Sequence, residues 1–457
     1  MIRTRFAPSP TGFMHLGNLR TALYAYLTAK KLKGTFILRI EDTDQNRLVE
    51  GSMEAIYNAL SLSGIKYDEG PETGGDYGPY IQSERKPLYL EQAKKLIEKG
   101  GAYYCYCEKS AASHEVYRCS CPTAEKLDKP HVIRQLIPPG STTFKDAVFG
   151  EITAENSTLE NQVLIKADGL PTYNFANVVD DHLMKITHVI RGSEYLSSTP
   201  KYNLLYDAMG WKIPAYIHLP LILNENKEKL SKRRGDANYE DLLTEGFLPE
   251  AVVNYIALLG WSPGENKEIF TLQELEEAFT LEGLSKSPSI FDRAKLTWIN
   301  GEYMKAMEPE KFYRGVLPYL QENIKTPVDL KKVAVYCQSR VSFFKDAVNW
   351  IDFIDRLPPY SEELFINKKM KTTIESSSEV IKKLLPVLEK TSPEQVRDTI
   401  SSFTKESGLK NSQVLWPLRT ALTGKANSFC GAIELIELLG LEESISRLKQ
   451  AVDSSEV

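Results

Sequence analysis

The sequence is poor in cysteine, histidine and long apolar segments. Its 457 residues include 6 cysteines, 6 histidines and 5 tryptophans. No run of about 18 apolar residues occurs, which excludes a transmembrane helix. Internal repeats and long low-complexity stretches are also absent. The opening Met-Ile-Arg-Thr-Arg lacks the features of a targeting segment. We therefore expect a cytoplasmic protein of bacterial type whose cysteines do not form disulfides.

The chain also lacks a large excess of charge of either sign, and this limits the partners that it is expected to bind. The net charge is −5, which argues mildly against a nucleic-acid partner because non-specific RNA binding needs a basic surface. A protein that recognises RNA by shape and by splayed bases needs only local basic patches. Arg233-Arg234 and Lys331-Lys332 are candidates, although a solvated surface is favoured for either pair alone. The length predicts roughly three to five domains.

The most informative segment covers residues 6–18 and reads Phe-Ala-Pro-Ser-Pro-Thr-Gly-Phe-Met-His-Leu-Gly-Asn. It follows a strand-like run and precedes residues 19–27, which have helical apolar spacing. A histidine at a glycine-flanked helix N-terminus can hydrogen-bond phosphate where backbone N–H groups favour an anion. Gly17 removes a side chain where a nucleotide would approach the backbone. The alternative is a proline-rich turn with an incidental His15.

A second segment, residues 229–235, reads Lys-Leu-Ser-Lys-Arg-Arg-Gly and places two lysines three positions apart in a polar loop. By itself such a loop indicates a solvated surface or a nucleic-acid contact. Together with His15-Leu16-Gly17-Asn18, however, Lys229-Leu230-Ser231-Lys232-Arg233 resembles the paired HIGH and KMSKS signatures of the class I aminoacyl-tRNA synthetases.

Further segments narrow the resemblance to the glutamyl-tRNA synthetases. Order and spacing match strongly over about the first 300 residues and more diffusely to the C-terminus. The segments are Arg-Thr-Arg-Phe-Ala-Pro-Ser-Pro-Thr-Gly at 3–12, Leu-Arg-Ile-Glu-Asp-Thr-Asp at 38–44, Tyr-Ile-Gln-Ser-Glu-Arg at 80–85, Asp-Gly-Leu-Pro-Thr-Tyr at 168–173 and Asn-Val-Val-Asp-Asp-His-Leu-Met at 177–184.

The fold class expected is α/β. The first 80 residues alternate strand and helix signals, which indicates a parallel sheet. The resemblance implies a split Rossmann-type nucleotide-binding fold with an inserted α+β acceptor-binding domain and an all-α C-terminal anticodon-binding half. The expected domains are the catalytic domain at 1–81 and 174–238, the insertion at 82–173, a stem-contact domain at 239–307, and two helical anticodon-binding subdomains at 308–372 and 373–457.

The resemblance implies activation of L-glutamate with ATP to glutamyl-adenylate, followed by transfer to the 3′ end of tRNA(Glu). Such catalysis rests on positioning and charge stabilisation. His15 is expected to bind the ATP phosphates, Lys229 and Lys232 to meet the charge on leaving pyrophosphate, and Mg²⁺ to bind the phosphates. The other expected ATP-binding residues are Ser9, Gly17, Asn18, Glu194, Tyr195, Leu221, Leu230 and Ser231.

The same resemblance assigns residues to L-glutamate. They are Arg5 and Arg191 for its carboxyl groups, Ser9 and Glu41 for its α-amino group, and Tyr173 and Asn177 to close the pocket. Arg191 is expected to read the side chain, because an arginine can bind a carboxylate bidentately and would leave neutral glutamine poorly paired. Taken alone, the acidic run around Glu41 is typical of a helix N-terminus.

Four cysteines form two Cys-x-Cys pairs, Cys105 with Cys107 and Cys119 with Cys121, separated by eleven residues. Four thiolates are enough for tetrahedral Zn²⁺, and some glutamyl-tRNA synthetases carry a zinc site in this insertion. That form commonly has a longer gap and a non-cysteine fourth ligand, and His114 between the pairs could replace one cysteine. We predict a structural zinc ion. The alternative is a set of reduced cysteines without metal.

Anticodon recognition is expected in the helical C-terminal half. This distinguishes the chain from glutaminyl-tRNA synthetases, whose anticodon domain is built of β-barrels. Arg340 lies near the position of an anticodon-contacting arginine in related enzymes, but a surface arginine without a special role is the favoured interpretation. We expect a monomer with no membrane partner. The sequence leaves open whether tRNA(Gln) is charged as well.

Three other functions share parts of this pattern. A glutamyl-queuosine-tRNA synthetase-like paralogue has the same catalytic core but lacks the helical half that follows residue 308. A non-catalytic, zinc-containing RNA-binding paralogue would be expected to lose His15, Lys232 or Arg191, and all three are present. A nucleotidyltransferase of the same superfamily is far smaller and would not need residues 168–173. The sequence therefore favours the synthetase.

Overall fold

The structure is a computed structural model that describes residues 1–107, 125–230 and 238–454. It divides into two compact units, Met1–Leu296 and Thr297–Val457. Among the helices of the described residues, none combines the length and the apolar character needed to cross a membrane. The strands are β1 (Arg3–Phe6), β2 (Thr35–Leu38), β3 (Ala102–Cys105), β4 (Val132–Gln135), β5 (Ser141–Asp146), β6 (Gly150–Glu155), β7 (Val163–Ile165), β8 (His188–Gly192), β9 (Ala215–Leu219), β10 (Ile222–Leu223) and β11 (Ser289–Ile290).

The helices of the first unit lie between and after these strands. They are α1 (Leu16–Lys31), α2 (Ser52–Leu62), α3 (Lys86–Glu98), α4 (Tyr173–Leu183), α5 (Thr199–Met209), α6 (Tyr239–Glu245), α7 (Pro249–Leu258), α8 (Leu272–Ala278) and α9 (Arg293–Ala306), within which the division between the units falls.

The first parallel pair is formed by β1 and β2, with α1 as the crossover helix. The two strands pair from Arg3 with Thr35 to Phe6 with Leu38. Both strands and α1 are mostly buried, as their apolar runs predict. Gly34 joins α1 to β2 where a Cβ atom would lie 2.4 Å from the carbonyl oxygen of Ile2, so only glycine fits this turn.

The second parallel pair, β8 and β9, begins 150 positions after the end of β2. It pairs from His188 with Ala215 to Gly192 with Leu219. The backbone N–H of Thr187 donates to the carbonyl oxygen of Arg3 at 2.9 Å, which places β8 beside β1. The parallel fold is therefore split, as predicted, with the intervening residues inserted between its two halves.

The intervening residues form an antiparallel sheet and a hairpin. The sheet has the order β3-β4-β7 and shares an apolar core with α3, α4 and α5 that includes Tyr89, Leu164 and Phe175. The hairpin β5–β6 instead extends the second parallel pair, because Asp146 pairs with Tyr216 of β9. Two strands from the range 82–173 thus enlarge the sheet of the nucleotide fold. The domain boundaries remain predictions.

Beyond α9, the helix is the regular element of the second unit within the described residues, apart from an isolated β-bridge between Asn367 and Thr372. Its helices are α10 (Pro309–Asn323), α11 (Leu330–Cys337), α12 (Val348–Ile351), α13 (Ile374–Leu388), α14 (Val396–Glu406), α15 (Asn411–Thr423), α16 (Ala432–Leu439) and α17 (Leu441–Ser454). The buried Arg447 of α17 donates to the carbonyl oxygens of Phe353, Leu422 and Ile354 at 2.8, 2.9 and 3.1 Å. It thereby satisfies a carbonyl group in the last turn of α15 and two in the segment that follows α12. The predicted all-α C-terminal half is confirmed.

Candidate active site

A cavity of about 580 Å³ lies in the first unit at the carboxyl ends of β1, β2, β8 and β9. Ligands of open parallel sheets bind at this edge. Most of the predicted site residues line it, namely Arg5, Ser9, His15, Gly17, Asn18, Glu41, Tyr173, Arg191, Glu194, Tyr195, Leu221, Lys229 and Leu230. Of the others, Asn177 is buried outside the lining, Arg340 belongs to the second unit, and Ser231 and Lys232 lie outside the described residues.

His15 is the N-cap residue of α1. Its Nδ1 accepts a hydrogen bond from the backbone N–H of Gly17 at 3.0 Å. Its Nε2 lies 3.2 Å from the carbonyl oxygen of Leu230. A neutral ring with the proton on Nε2 satisfies both contacts. The N-terminus of the 16-residue α1, the positive end of its dipole, lines the same cavity through Gly17 and Asn18, and this end of the cavity suits an anion.

The chain approaches His15 on both sides of the segment 231–237. Leu230 precedes that segment and contacts the His15 ring. Asn238 follows it and forms an antiparallel β-bridge with His15. The backbone N–H of Tyr239 then donates to the carbonyl oxygen of Met14 at 2.9 Å. The two sequence signatures, which are more than 200 residues apart, therefore meet at one residue.

A buried network of alternating charges reaches the cavity through Arg5 and Glu41. Asp181 accepts from Arg5 Nε at 3.1 Å and from Arg39 Nη1 at 2.8 Å, and Glu41 Oε1 accepts from Arg39 Nη2 at 2.8 Å. Burial alone would raise the pKa of Asp181, but the charges and hydrogen bonds of the two arginines outweigh it and lower that pKa. Burial does raise the pKa of Glu41.

The hydrogen bonds within this network determine which of its atoms remain available to a ligand. Arg5 uses Nε and Nη2 on Asp181 and donates from Nη1 to the carbonyl oxygen of Ile190 at 3.2 Å. Its bidentate edge is thus already occupied by Asp181. Within the described residues no protein donor reaches Oε2 of Glu41. A cationic group such as an amine would find a carboxylate oxygen there.

Arg191, the last buried residue of β8, is surrounded by aromatic rings. Its guanidinium carbon lies 5.2, 4.7 and 5.5 Å from the ring centroids of Tyr195, Tyr202 and Tyr216. Nε donates to His218 at 3.1 Å and Nη2 to Thr199 at 2.8 Å. No carboxylate of the described residues forms an ion pair with Arg191. A buried cation of this kind is a candidate to bind an anionic ligand.

Tyr173 opens α4 beside these residues. Its ring centroid lies 5.5 Å from that of Tyr195, and burial raises its pKa well above the usual value. Both hydroxyl groups therefore stay protonated at neutral pH and can serve as neutral donors or acceptors. Asn177 donates from Nδ2 to the carbonyl oxygen of Tyr173 at 2.9 Å. A direct contact of Asn177 with substrate stays a prediction.

The geometry combines an anion-binding helix end, an arginine without a carboxylate partner and a carboxylate oxygen without a donor. Residues 1–298 match the tRNA synthetases class I (E and Q) catalytic domain, and residues 311–452 match an anticodon binding domain.

The chain belongs to the class I tRNA synthetases of the E and Q type.

Individual relatives agree with this family along the whole chain. A glutamate–tRNA ligase of Clostridium botulinum (strain Eklund 17B / Type B) is 53% identical, with 99% of this chain and 98% of the relative covered. One from Clostridium tetani is 51% identical, with 99% and 97% covered. A crystal structure of a glutamate tRNA ligase from Elizabethkingia meningosepticum in complex with its amino acid superimposes with a TM-score of 0.84 at 35% identity and covers 99% of both chains.

The predicted zinc ligands are only partly described. Cys105 ends β3 and is buried, and Cys107 follows it and is half-buried. Cys119, Cys121 and His114 lie outside the described residues. Among the residues that are described, no three or more histidine, cysteine or acidic side chains come together in a way that could hold a metal ion. The zinc site therefore stays a prediction that rests on the sequence.

Sequence reasoning missed several residues that shape the site. Arg39 and Asp181 lie inside the quoted segments without a role of their own, although their alternating charges could have indicated a pair. His218 and Asp146 carried no local signal, because they meet Arg191 and each other across the sheet, and Thr199, which begins α5, carried none either. Arg340 ends a short 3₁₀ helix and is exposed, so its role in tRNA binding also stays a prediction.

Proposed function

We propose that this protein is a glutamate–tRNA ligase that activates L-glutamate with ATP, in the presence of Mg²⁺, and transfers it to the 3′ end of tRNA(Glu). The observation that carries the proposal is the single cavity that holds the N-terminus of α1, the buried Arg191 and the open oxygen of Glu41. An ATP phosphate, an acidic side chain and an amino group each find a complementary group there. The resemblance of the chain to glutamate–tRNA ligases points to the same substrates.

In the first step, an oxygen of the glutamate α-carboxylate attacks the α-phosphorus of ATP. The bond to the β-phosphate oxygen breaks, and glutamyl-adenylate and pyrophosphate form. His15 and the positive end of the α1 dipole would stabilise the phosphate oxygens, and Lys229 and Lys232 would meet the charge that develops on pyrophosphate. For Lys232 the supporting observation is that the described residues on both sides of its segment contact His15.

Glutamate would be held at three points around the attacking carboxylate. Arg191 would bind the side-chain carboxylate, Glu41 Oε2 would accept from the α-amino group, and Nη1 of Arg5 would face the α-carboxylate. Ser9 and Tyr173, which also line the cavity, would complete the contacts. Because this geometry holds the carboxylate near the phosphate, much of the rate would come from orientation.

In the second step, a hydroxyl of the terminal tRNA ribose attacks the acyl carbon and AMP leaves. We assign the acceptor end of the tRNA to residues 82–173, its stem to 239–307 and its anticodon to the helical subdomains 308–372 and 373–457, with Arg340 as a candidate contact. The cysteine pairs would hold a structural zinc ion in the acceptor-binding region, away from the chemistry. A monomeric, cytoplasmic protein is part of the same proposal.

The test is exchange of labelled pyrophosphate into ATP. We expect exchange that requires glutamate and, as in this family, cognate tRNA. Exchange supported by glutamine but not by glutamate would overturn the proposal. Aminoacylation of purified tRNA(Glu) and tRNA(Gln) with labelled glutamate then distinguishes a strict enzyme from one that charges both tRNAs.

A further inference from the structure

The guanidinium of Arg191 has two edges that can bind a carboxylate, and the protein occupies one of them. On the first edge, Nε donates to Nε2 of His218 at 3.1 Å and Nη2 donates to Thr199 Oγ1 at 2.8 Å. The second edge, formed by Nη1 and the other hydrogen of Nη2, has no protein acceptor among the described residues. A carboxylate ligand can therefore approach only end-on.

The contact with His218 constrains the protonation of its ring. An N–H donor of Arg191 needs a lone pair on Nε2, so the ring must be neutral with its proton on Nδ1. That proton is donated to Asp146 Oδ2, which lies 2.7 Å from Nδ1. Burial and the Arg191 charge lower the pKa of His218, and the hydrogen bond to Asp146 opposes them only in part. The neutral tautomer is therefore held on both sides.

Asp146 is itself tightly held. Its Oδ1 accepts from the backbone N–H groups of Val148 and Phe149 at 2.9 and 2.8 Å, and its Oδ2 also accepts from the backbone N–H of His218 at 3.0 Å. Burial would raise its pKa, but the bonds from His218 and the two backbone groups outweigh burial and lower it. Asp146 is thus an ionised acceptor fixed at the end of β5.

A buried Asp–His pair of this kind could merely stabilise the junction of β5 with β9. The hydrogen bond from Arg191 to His218 argues for a further role, because Arg191 is the cation that faces the ligand cavity. Rotation of Arg191 toward another acceptor would break the bond to His218. The buried Nε2 would then have to share the Thr199 hydroxyl, 3.3 Å away, which already donates to the carbonyl oxygen of Tyr195 at 2.8 Å.

We propose that His218, fixed in one tautomer by Asp146, is a positioning residue that orients Arg191 and so sets the affinity and selectivity for an acidic amino-acid side chain. The inference rests on the proposed function, since it concerns the same substrate. His218 does not line the cavity and does not touch the ligand; it acts through Arg191.

Two substitutions of His218 separate this role from simple packing. The amide of His218→Gln can reach the position of Nε2 and keep an acceptor for Arg191, whereas His218→Asn keeps only the group that faces Asp146. We expect the KM for glutamate to rise about tenfold or more in H218N, as for loss of one hydrogen bond to a charged group, and to stay within about threefold in H218Q. The KM for ATP should change less than about twofold in both.

Asp146→Asn should raise the KM for glutamate in the otherwise unchanged chain but add little in the H218N background, because both changes act through one bond. Thr143→Val, on an exposed position of the same strand, serves as the matched control and should behave as the unsubstituted protein.

The outcomes distinguish this inference from the function on which it rests. Absence of glutamate-dependent exchange in the unsubstituted protein would overturn the proposed function and this inference with it. An active H218N protein with an unchanged KM for glutamate would overturn only the positioning role. Equal increases in H218Q and H218N, or parallel increases in the KM values for glutamate and ATP, would do the same, because they indicate a general packing defect.

Discussion

Nε2 of His15 donates to the carbonyl oxygen of Leu230 across 3.2 Å, and this bond joins the N-terminus of α1 to the residue that precedes Ser231 and Lys232. The same N–H is the donor expected to bind an ATP phosphate. It can serve only one acceptor at a time. Binding of ATP would therefore exchange the Leu230 contact for a phosphate contact, which links nucleotide binding to the lysine segment.

His15→Asn tests this donor while preserving the helix cap. An asparagine side chain can still accept from the backbone N–H of Gly17, so α1 should keep its stability. It lacks the Nε2–H group, so we expect glutamate-dependent exchange to fall by about 10²–10³, the range for loss of one donor to a developing charge. Thermal unfolding provides the control for the fold. Normal exchange by a folded H15N protein would contradict the assigned role.

Lys232→Ala tests the charge expected at leaving pyrophosphate. Adenylate formation should fall by about 10² or more, because a single electrostatic contact to the transition state is removed. The measurement is single-turnover formation of glutamyl-adenylate. Lys212→Ala removes an exposed lysine elsewhere in the first unit and should leave the rate unchanged. An effect confined to the KM for tRNA would instead place Lys232 on the nucleic acid.

Arg191→Lys keeps the positive charge but removes the planar fork. One ammonium cannot satisfy His218, Thr199 and a bidentate carboxylate together. We expect the KM for glutamate to rise about 10- to 100-fold, corresponding to roughly 1.5–3 kcal/mol for a hydrogen bond to a charged group. Steady-state exchange at varied glutamate measures it, with Arg314→Lys at an exposed position of α10 as the control. An unchanged KM would assign side-chain recognition to another residue.

The fold was predictable where its signals are local. Residues 52–63 carry a helical pattern that ends at Gly64, and α2 covers Ser52–Leu62 with Gly64 at a φ of +71°. The alternation of strands and helices and the helical pattern after residue 308 likewise follow from periodicity. The extension of the sheet by β5–β6 was not predictable, because it depends on the pairing of Asp146 with Tyr216, 70 positions away.

The site was predictable through the resemblance and hardly at all from spacing. His15 and Glu41 lie in segments whose order matches a known family, so their meeting in one cavity could be anticipated. His218 stood in the run Ile-His-Leu-Pro-Leu, which indicates only a buried strand. Its partner Asp146 is 72 positions away. A buried polar pair formed across a sheet leaves no periodic pattern in either segment.

The cysteine pairs give a prediction that metal analysis can decide. Purified protein should contain about one zinc ion per chain, since four thiolates complete a tetrahedral site. Cys105→Ser should lower the zinc content and the thermal stability of the first unit, whereas Cys337→Ser in the second unit should leave the zinc content unchanged. Less than about a tenth of an equivalent of zinc in the unsubstituted protein would contradict the site.

Asp181→Asn should destabilise the first unit strongly. The carboxylate joins Arg5 and Arg39 in a buried cluster. Removal of its charge leaves Arg5 without a carboxylate partner, whereas Arg39 keeps its ion pair with Glu41. Breaking a buried pair in this way costs about 3–5 kcal/mol. Urea unfolding followed by circular dichroism measures the loss. Asp207→Asn, at an exposed position of α5, should change the free energy of unfolding by less than about 0.5 kcal/mol.

The pH dependence of that loss follows from the lowered pKa of Asp181. A carboxyl group whose pKa is lower in the folded than in the unfolded chain stabilises the fold fully above the unfolded value, and this contribution disappears as the pH falls through the folded value. In an unfolded chain, an aspartate side chain has a pKa of about 3.9. The difference between D181N and the unsubstituted protein should therefore be constant from pH 7 to about pH 5 and shrink below about pH 4. A difference that persists undiminished at about pH 3 would attribute the loss to altered packing instead of charge.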